Sequence, residues 1–140
     1  MHLLKEFEVP DEPASVYRKL ANDETLLGLF PDTKTEIIEN SGECRTLRSH
    51  YVALGREGTA TFHFTFEPAQ RIRFEKVCDG RVWSRLVGSV SFVDRGGRTC
   101  VRVEMDGRTK AFIPEFSIKG PMQDQLKKMV GALRERLAGP

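Results

Sequence analysis

The last part of the chain, residues 121–137, repeats its hydrophobic residues at steps of three and four. The repeating positions are Met122, Leu126, Met129, Val130, Leu133 and Leu137. This spacing places their side chains on one face of an α-helix, with the charged residues on the remaining surface. We predict an amphipathic helix that begins at Pro121, because proline is favoured at the first helical position. Its apolar stripe needs a partner surface.

The hydrophobic period changes to two over residues 33–110, which predicts strands. The predicted strands cover residues 33–39, 44–54, 58–67, 71–77, 82–93 and 99–110. Because the links between them are short and contain glycine, consecutive strands should pair as an antiparallel meander. One face of that sheet is rich in Phe, Val and Leu, so the C-terminal helix should cover it.

The N-terminal part predicts one further strand and two short helices. Residues 2–9 read as a strand that Pro10 ends. Asp11, Glu12 and Pro13 then predict the start of a helix that ends near Asn22, because acidic residues and proline favour a first helical turn. A second helix is expected over residues 24–30. Residues 112–120 fit the end of a strand, a loop or an extra helical turn.

Composition limits the class of protein. With 140 residues, 39% hydrophobic and 30% charged, the chain predicts one folded domain over residues 1–140. The net charge of +2 gives little attraction to nucleic acid. No apolar run reaches membrane-spanning length and the N-terminus lacks a signal-peptide pattern, so we expect a cytoplasmic protein. The three cysteines, without a CxxC pair, are expected to be reduced.

The order of elements resembles the helix-grip fold of the START-related (SRPBCC) superfamily. Three motifs carry the likeness, namely FEVPDEPASVY at residues 7–17, Leu29-Phe30-Pro31, and Gly120-Pro121 before the last helix. This superfamily includes Bet v 1-like proteins, polyketide cyclases and aromatases, and lipid-transfer domains. The resemblance implies an α+β fold with a curved antiparallel sheet of about seven strands, two short helices, and one long C-terminal helix packed over the sheet.

The resemblance also implies a cavity between the sheet and the last helix that encloses an apolar or aromatic ligand. Strand parity and the helix stripe give the expected lining, which is Leu47, Ser49, Tyr51, Phe62, Phe64, Phe74, Ser84, Leu86, Val90, Val103, Met105, Met122, Leu126, Met129 and Leu133. The alternative is that these side chains form an ordinary filled core. Trp83 has the opposite parity to Leu86, so we expect it at the rim or on the sheet face unless a bulge intervenes.

No motif for a nucleophile and its base, a phosphate-binding glycine loop or a metal site occurs in the sequence, and we expect no cofactor and no metal. The polar residues of inward parity are Ser49, Tyr51, Ser84 and Thr109, with Arg45 near a strand end. Tyr51 is the best candidate for catalysis, since a phenol can donate to a developing enolate. The favoured interpretation of Tyr51 is nevertheless a core tyrosine with its hydroxyl at the rim. We expect Arg45 to be a solvated charge, whereas an inward Arg45 would imply an acidic ligand.

Three functions remain open. The first is binding or transport of a small hydrophobic or aromatic ligand such as a lipid, quinone or polyketide, and the second is a cyclase or dehydratase that uses the same cavity. The third is a chaperone- or ribosome-interaction module, since residues 71–110 hold ten basic and five acidic residues. We interpret that surplus as a solvated outer face and expect no nucleic-acid partner. The chain should be a monomer or homodimer. A cavity above about 300 Å³ would favour ligand binding.

Overall fold

The computed structural model describes residues 1–53 and 55–138, without the side chains of Ala53 and Arg56. Position 54, predicted to end a strand, lies outside the described residues. The elements are β1 (His2–Val9), α1 (Pro13–Leu20), α2 (Asp23–Leu27), β2 (Lys34–Ser41), β3 (Cys44–Ala53), β4 (Arg56–Glu67), β5 (Arg71–Lys76), β6 (Trp83–Arg95), β7 (Arg98–Thr109) and α3 (Glu115–Ala138). No helix in these two ranges is long and apolar enough to cross a membrane.

The strands form one antiparallel sheet in the order β1-β7-β6-β5-β4-β3-β2. The meander over β2 to β7 is confirmed, and β1 pairs with β7 rather than with its neighbour in sequence. Strands β1 and β2 therefore form the two edges. The predicted α+β helix-grip architecture with seven strands is confirmed.

The two short helices follow β1, as predicted. Pro13 stands at the start of α1, which buries Val16 and Leu20 against the core. The side chain of Asn22 caps α2, because its Oδ1 accepts a hydrogen bond of 3.0 Å from the backbone N–H of Thr25. Helix α2 ends at Leu27, three residues earlier than predicted, and the following loop carries the chain to β2.

The prediction that the last helix begins at Pro121 is wrong. Helix α3 begins at Glu115, so Pro121 lies inside it. The turn before the helix is fixed by a hydrogen bond of 2.7 Å from the Thr109 hydroxyl to the carbonyl oxygen of Ile113. Glu115 then favours the positive end of the helix dipole. Residues 115–120, left open by the sequence, are therefore the first turns of α3.

The core lies between the apolar face of the sheet and the predicted stripe of α3. Leu126, Met129 and Leu133 are buried there. Helix α1 adds to the same cluster through Val16 and Leu20. The first turns of α3 are different, because Phe116 is 84% exposed and no residue before Leu126 in this helix is buried. The helix is thus packed tightly on the sheet in its second half and loosely in its first.

Candidate ligand-binding site

A cavity of about 320 Å³ lies under the first half of α3. Its wall comes from α3, from the loop between α2 and β2, and from strands β3 to β7. The lining residues are Phe30, Asp32, Thr33, Ser49, Tyr51, Val52, Ala60, Phe62, Phe74, Lys76, Trp83, Leu86, Met105, Met122 and Gln125. The lining is therefore mostly apolar, with a few polar groups, as small-molecule sites usually are.

Aromatic rings form much of the cavity wall. Phe62 is stacked on Phe30 with ring centroids 5.0 Å apart, and it meets Phe74 edge to face at 6.3 Å. Such pairs prefer these offset and perpendicular geometries because of the ring quadrupole. The contact between Phe62 and Phe30 ties β4 to the loop after α2, so the loop closes one side of the cavity.

Glycines on the neighbouring strands lie beneath the aromatic side chains of the wall. Tyr51 pairs with Gly58 across β3 and β4, and a Cβ on Gly58 would lie 2.6 Å from its ring. Phe74 pairs with Gly88 across β5 and β6, and a Cβ there would also overlap the ring. Distances this short do not occur between real side chains. Both rings therefore lie flat on the sheet, which keeps the space above them open.

The expectation that Trp83 lies at the rim is corrected by a β-bulge. The pairing of β6 with β7 shifts register between Trp83 and Arg85. A bulge inserts one extra residue into a strand, so the residue before it faces the side of the sheet opposite to the one that strict alternation predicts. Trp83 therefore faces inward, is 7% exposed and lines the cavity. The same bulge corrects Ser84, which was predicted to line the cavity but is exposed, its hydroxyl donating to the carbonyl oxygen of Arg108 at 3.0 Å.

The other predicted lining residues divide into two groups. The group that lines the cavity consists of Ser49, Tyr51, Phe62, Phe74, Leu86, Met105 and Met122. The group that lies instead in the filled core consists of Leu47, Phe64, Val90, Val103, Leu126, Met129 and Leu133. Both groups face inward, as predicted. The second group does not line the cavity because it lies where α3 contacts the sheet closely. The cavity thus occupies only one end of the predicted interface.

Several lining residues were not predicted. Phe30, Asp32 and Thr33 belong to the loop between α2 and β2, for which no periodicity exists. Ala60 and Lys76 continue the inward parity of Phe62 and Phe74, so parity could have found them. The remaining ones are Val52, Trp83 and Gln125. The site is therefore more polar than the predicted set.

A chain of hydroxyl groups leads from the cavity wall to the loop. The Ser49 hydroxyl lies 3.0 Å from that of Thr35, which in turn lies 3.3 Å from that of Thr33. The Thr33 hydroxyl donates to the carbonyl oxygen of Phe30 at 2.9 Å. Ser49 is 3% exposed, so its hydroxyl belongs to the cavity and not to bulk solvent. The chain links β3 to the loop that closes the cavity.

Two charged side chains line the cavity. The Asp32 carboxylate forms an ion pair with Lys128 of α3, which joins the loop to the helix. This hydrogen bond and the Asp32 charge raise the pKa of Lys128. Lys76 also lines the cavity and is half-buried. Within residues 1–53 and 55–138, Lys76 takes part in no ion pair.

The two remaining polar candidates have structural partners elsewhere. Arg45 points to the inner face but forms an ion pair of 2.9 Å with Asp23 of α2 and lies over the ring of Phe66. It therefore joins α2 to the sheet. The expectation of a solvated charge is wrong, and the partner of the inward Arg45 is Asp23 and not an acidic ligand. Thr109 hydrogen-bonds to the carbonyl oxygen of Ile113, before α3. Neither residue lines the cavity.

A larger cleft of about 620 Å³ adjoins the cavity and shares Tyr51 and Val52 with it. Its other lining residues are mostly charged or polar and include His50, Glu57 and Arg81. An apolar ligand gains little from such a surface, because burying unpaired polar groups is costly. The smaller, more apolar cavity is therefore the better candidate for a binding site. No group of three metal-ligating side chains was found among the described residues.

The outer face of the sheet mixes acidic and basic side chains. Arg71 pairs with Glu67 at 2.6 Å, and Arg102 pairs with Glu6 and Glu104 at 3.6 Å each. The basic residues of 71–110 are thus interleaved with acids from β1, β4 and β7. This arrangement gives no continuous basic stripe along these strands.

No protein-family model matches the chain, and no curated protein matches its sequence. Solved structures do match it. An aromatase/cyclase from Streptomyces sp. R1128 gives a TM-score of 0.72 at 20% identity, covering 99% of this chain and 96% of that one. A START superfamily protein from Mycobacterium smegmatis gives 0.69 at 20% identity, with coverage of 96% and 95%.

A STAR-related lipid transfer protein from Xanthomonas axonopodis gives a TM-score of 0.69 at 19% identity, covering 99% of this chain and 86% of that one. The chain has the helix-grip fold of the START-related superfamily. These START-related structures match over nearly their whole length, so the likeness includes the sheet and the long C-terminal helix. At these identities it concerns the fold and leaves the cavity residues to be interpreted from this chain itself.

Proposed function

We propose that the protein binds a small hydrophobic or aromatic molecule in the cavity beneath the first half of α3. The observation that carries the proposal is the cavity itself, about 320 Å³ in volume and walled largely by Phe30, Phe62, Phe74 and Trp83. Its volume lies within the range of small-molecule sites. Apolar surface that leaves water on binding supplies the driving force. The START-related fold supports the same proposal, because lipid transfer and aromatase/cyclase proteins share it.

The proposal is tested with an uncharged fluorescent probe, N-phenyl-1-naphthylamine. Trp83 is the only tryptophan in the chain and lines the cavity, so energy transfer from it reports binding there. Ala60→Phe, which adds a ring to the cavity wall, should weaken probe binding at least about tenfold, because the added ring takes the probe's place. Thr59→Phe is the matched control, since Thr59 is exposed and has the opposite parity on the same strand.

A second filling variant keeps the test decisive if Ala60→Phe does not fold. Met122→Phe fills the cavity from the helix side, where Met122 is half-buried, and keeps Trp83 as the only tryptophan. Circular dichroism verifies that each variant is folded. The proposal is overturned if a folded cavity-filling variant binds the probe as well as the original protein does.

A second candidate is a cyclase or dehydratase that uses the same cavity. The observation in its favour is that Tyr51 and Lys76, two hydrogen-bond donors, line one apolar space. Donors aimed at a developing enolate stabilise it most in a space that excludes water. Turnover of a poly-β-ketone substrate that is lost in Tyr51→Phe would establish this candidate. Binding of the substrate without turnover leaves the carrier function.

A further inference from the structure

The direction of the hydroxyl chain at Ser49 follows from counting hydrogens. Three hydroxyl groups, those of Ser49, Thr35 and Thr33, make three successive hydrogen bonds that end at the carbonyl oxygen of Phe30. A carbonyl oxygen only accepts, and each hydroxyl has one hydrogen. All three bonds form only if Thr33 donates to Phe30, Thr35 to Thr33 and Ser49 to Thr35.

This direction leaves Ser49 with lone pairs and no free hydrogen. Its hydroxyl is almost completely buried and lines the cavity. A ligand acceptor placed here would face the lone pairs of Ser49 and be buried without a hydrogen bond, which is costly, so a ligand group that donates to Ser49 is favoured over one that only accepts. The cavity wall therefore selects for a hydroxyl or N–H at this point.

The second selective group is Lys76, whose charge has no partner within ion-pair distance among the described residues. The charge of Lys76 acts on one nearby acid, Asp79. The main cause of the lowered pKa of Asp79 is a hydrogen bond from the Arg81 backbone N–H, and the charge of Lys76 lowers it further. Asp79 lies 3.5 Å from the Arg81 side chain, which is its ion-pair partner. The other charge of the cavity, Asp32, is paired with Lys128. The unbalanced charge in the wall is thus one positive charge.

We propose that the ligand is a hydrophobic carboxylic acid that also carries a hydroxyl group, with its carboxylate at Lys76 and its hydroxyl donating to Ser49. The proposal rests on the proposed binding function and adds the chemical class of the ligand. A monovalent carboxylate matches the single ammonium, and charged hydrogen bonds are stronger than neutral ones. The aromatic wall accommodates the apolar body of the molecule.

The contribution of Lys76 is measured by isothermal titration with 2-naphthoic acid and its methyl ester. The two probes share their ring system, so the ratio of their affinities reports the carboxylate alone. The original protein should bind the acid about tenfold more tightly than the ester, the size of a charged hydrogen bond. Lys76→Met should remove this preference with little effect on ester binding. Lys127→Met, at an exposed position of α3, should keep the preference.

The contribution of Ser49 is measured in the same way with 2-naphthol and 2-methoxynaphthalene. Naphthol should bind about fivefold more tightly, as expected for one neutral hydrogen bond. Ser49→Ala should remove the preference. Thr35→Val is the sharper test, because Thr35 does not line the cavity. It frees the hydrogen of Ser49, which can then donate to the ether oxygen, so the preference should fall. Thr35→Ser preserves the chain and should restore it.

The outcomes separate this proposal from the binding function on which it rests. If neither the ester nor the ether binds, the cavity is not an apolar binding site and both proposals fail. If the neutral probes bind but the acid has no advantage, or if the preferences persist in Lys76→Met and in Thr35→Val, the binding function stands and the ligand class is overturned.

Discussion

The indole ring of Trp83 lies against the backbone of Gly107, so that a Cβ on Gly107 would lie 2.5 Å from Cζ3 of the ring. The two residues are on the neighbouring strands β6 and β7, beside the bulge that turns Trp83 inward. Because glycine has no side chain, the ring lies flat on the sheet and forms the cavity wall. The position of Trp83 therefore depends on Gly107.

Gly107→Ala should displace the Trp83 ring. The new methyl group cannot be accommodated at that distance, and forcing a side chain into a packed site typically costs about 1–3 kcal/mol. We expect a lower melting temperature and a shift of the tryptophan emission maximum to longer wavelength, as the ring becomes more hydrated. Unchanged emission and stability would show that the ring is not held against this glycine.

Gly131→Ala is the matched control. A Cβ on Gly131 would have nothing within 4 Å, and the residue is exposed on α3. Alanine favours a helix over glycine by about 1 kcal/mol. This variant should therefore raise the melting temperature and leave the tryptophan emission unchanged. The opposite signs of the two substitutions separate steric overlap from a general effect of replacing glycine.

The ion pair between Asp32 and Lys128 should hold the loop between α2 and β2 against α3. Asp32→Asn removes the charge, so hydrogen exchange of the backbone amides at residues 28–33 should become faster. Lys128→Gln should have the same effect, and the double variant should add little to either. Both side chains are largely exposed, so high salt should also weaken the contact. Additive effects in the double variant would argue against a direct interaction.

Glu67 should contribute to the decline of stability in acid. The hydrogen bond from Arg71, aided by the nearby charges of Arg71 and Arg73, lowers the pKa of Glu67. A lowered pKa gives stability that is present above the unfolded-state value of about 4.3 and is lost as the pH falls through the folded-state value. Glu67→Gln should therefore reduce the fall in melting temperature between pH 5 and pH 3. Glu75→Gln, at an exposed position of the next strand, should not.

The three cysteines should differ in reactivity toward a disulfide reagent at pH 8. Burial, the hydrogen bond to Glu6 and the charge of that carboxylate raise the pKa of the Cys100 thiol. Because the thiolate is the reactive form, Cys100 should react only when the protein is unfolded. Cys44 is exposed and should react first. Loss of the fast phase in Cys44→Ser would verify the assignment, and a fast phase that remains would contradict it.

The sequence predicted the fold well because each element has a clear hydrophobic period. The alternation of Phe62, Phe64 and Phe66 identifies the inner face of β4, and all three are buried. The stripe of α3 likewise identifies the residues that contact the sheet. Both predictions require only that certain residues are buried, and the pattern of hydrophobic and polar positions indicates burial directly.

The start of α3 and the orientation of Trp83 could not be predicted from pattern. Both Pro114 and Pro121 suit the first turn of a helix, and the hydrogen bond from Thr109 to Ile113 favours the earlier start. A proline inside a helix is usually costly, so the later start was the natural prediction. The bulge beside Trp83 arises from the pairing of β6 with β7, and the sequence of neither strand by itself indicates it.

The candidate site was predicted less well than the fold. The helical spacing places Leu133 and Met122 on the same face of α3. It does not show that α3 contacts the sheet at Leu133 and separates from it at Met122. Lys76 was passed over because charged residues usually face solvent. Asp32 and Thr33 come from a loop, whose position depends on contacts far along the chain.

The glycines beneath Tyr51 and Trp83 make the size of the cavity adjustable without any movement of the backbone, whereas a Cβ on Gly88, beneath Phe74, would also lie 2.7 Å from the backbone oxygen of Glu104. Each ring and its glycine form a pair, so an added methyl group on one strand must be compensated by a smaller side chain on the other. Such exchanges would change the cavity in steps of a few atoms, while the sheet and α3 stay in place. In homologous chains, positions 58 and 107 should therefore vary together with positions 51 and 83, and these two pairs should follow the size of the ligand, while position 88 should stay glycine.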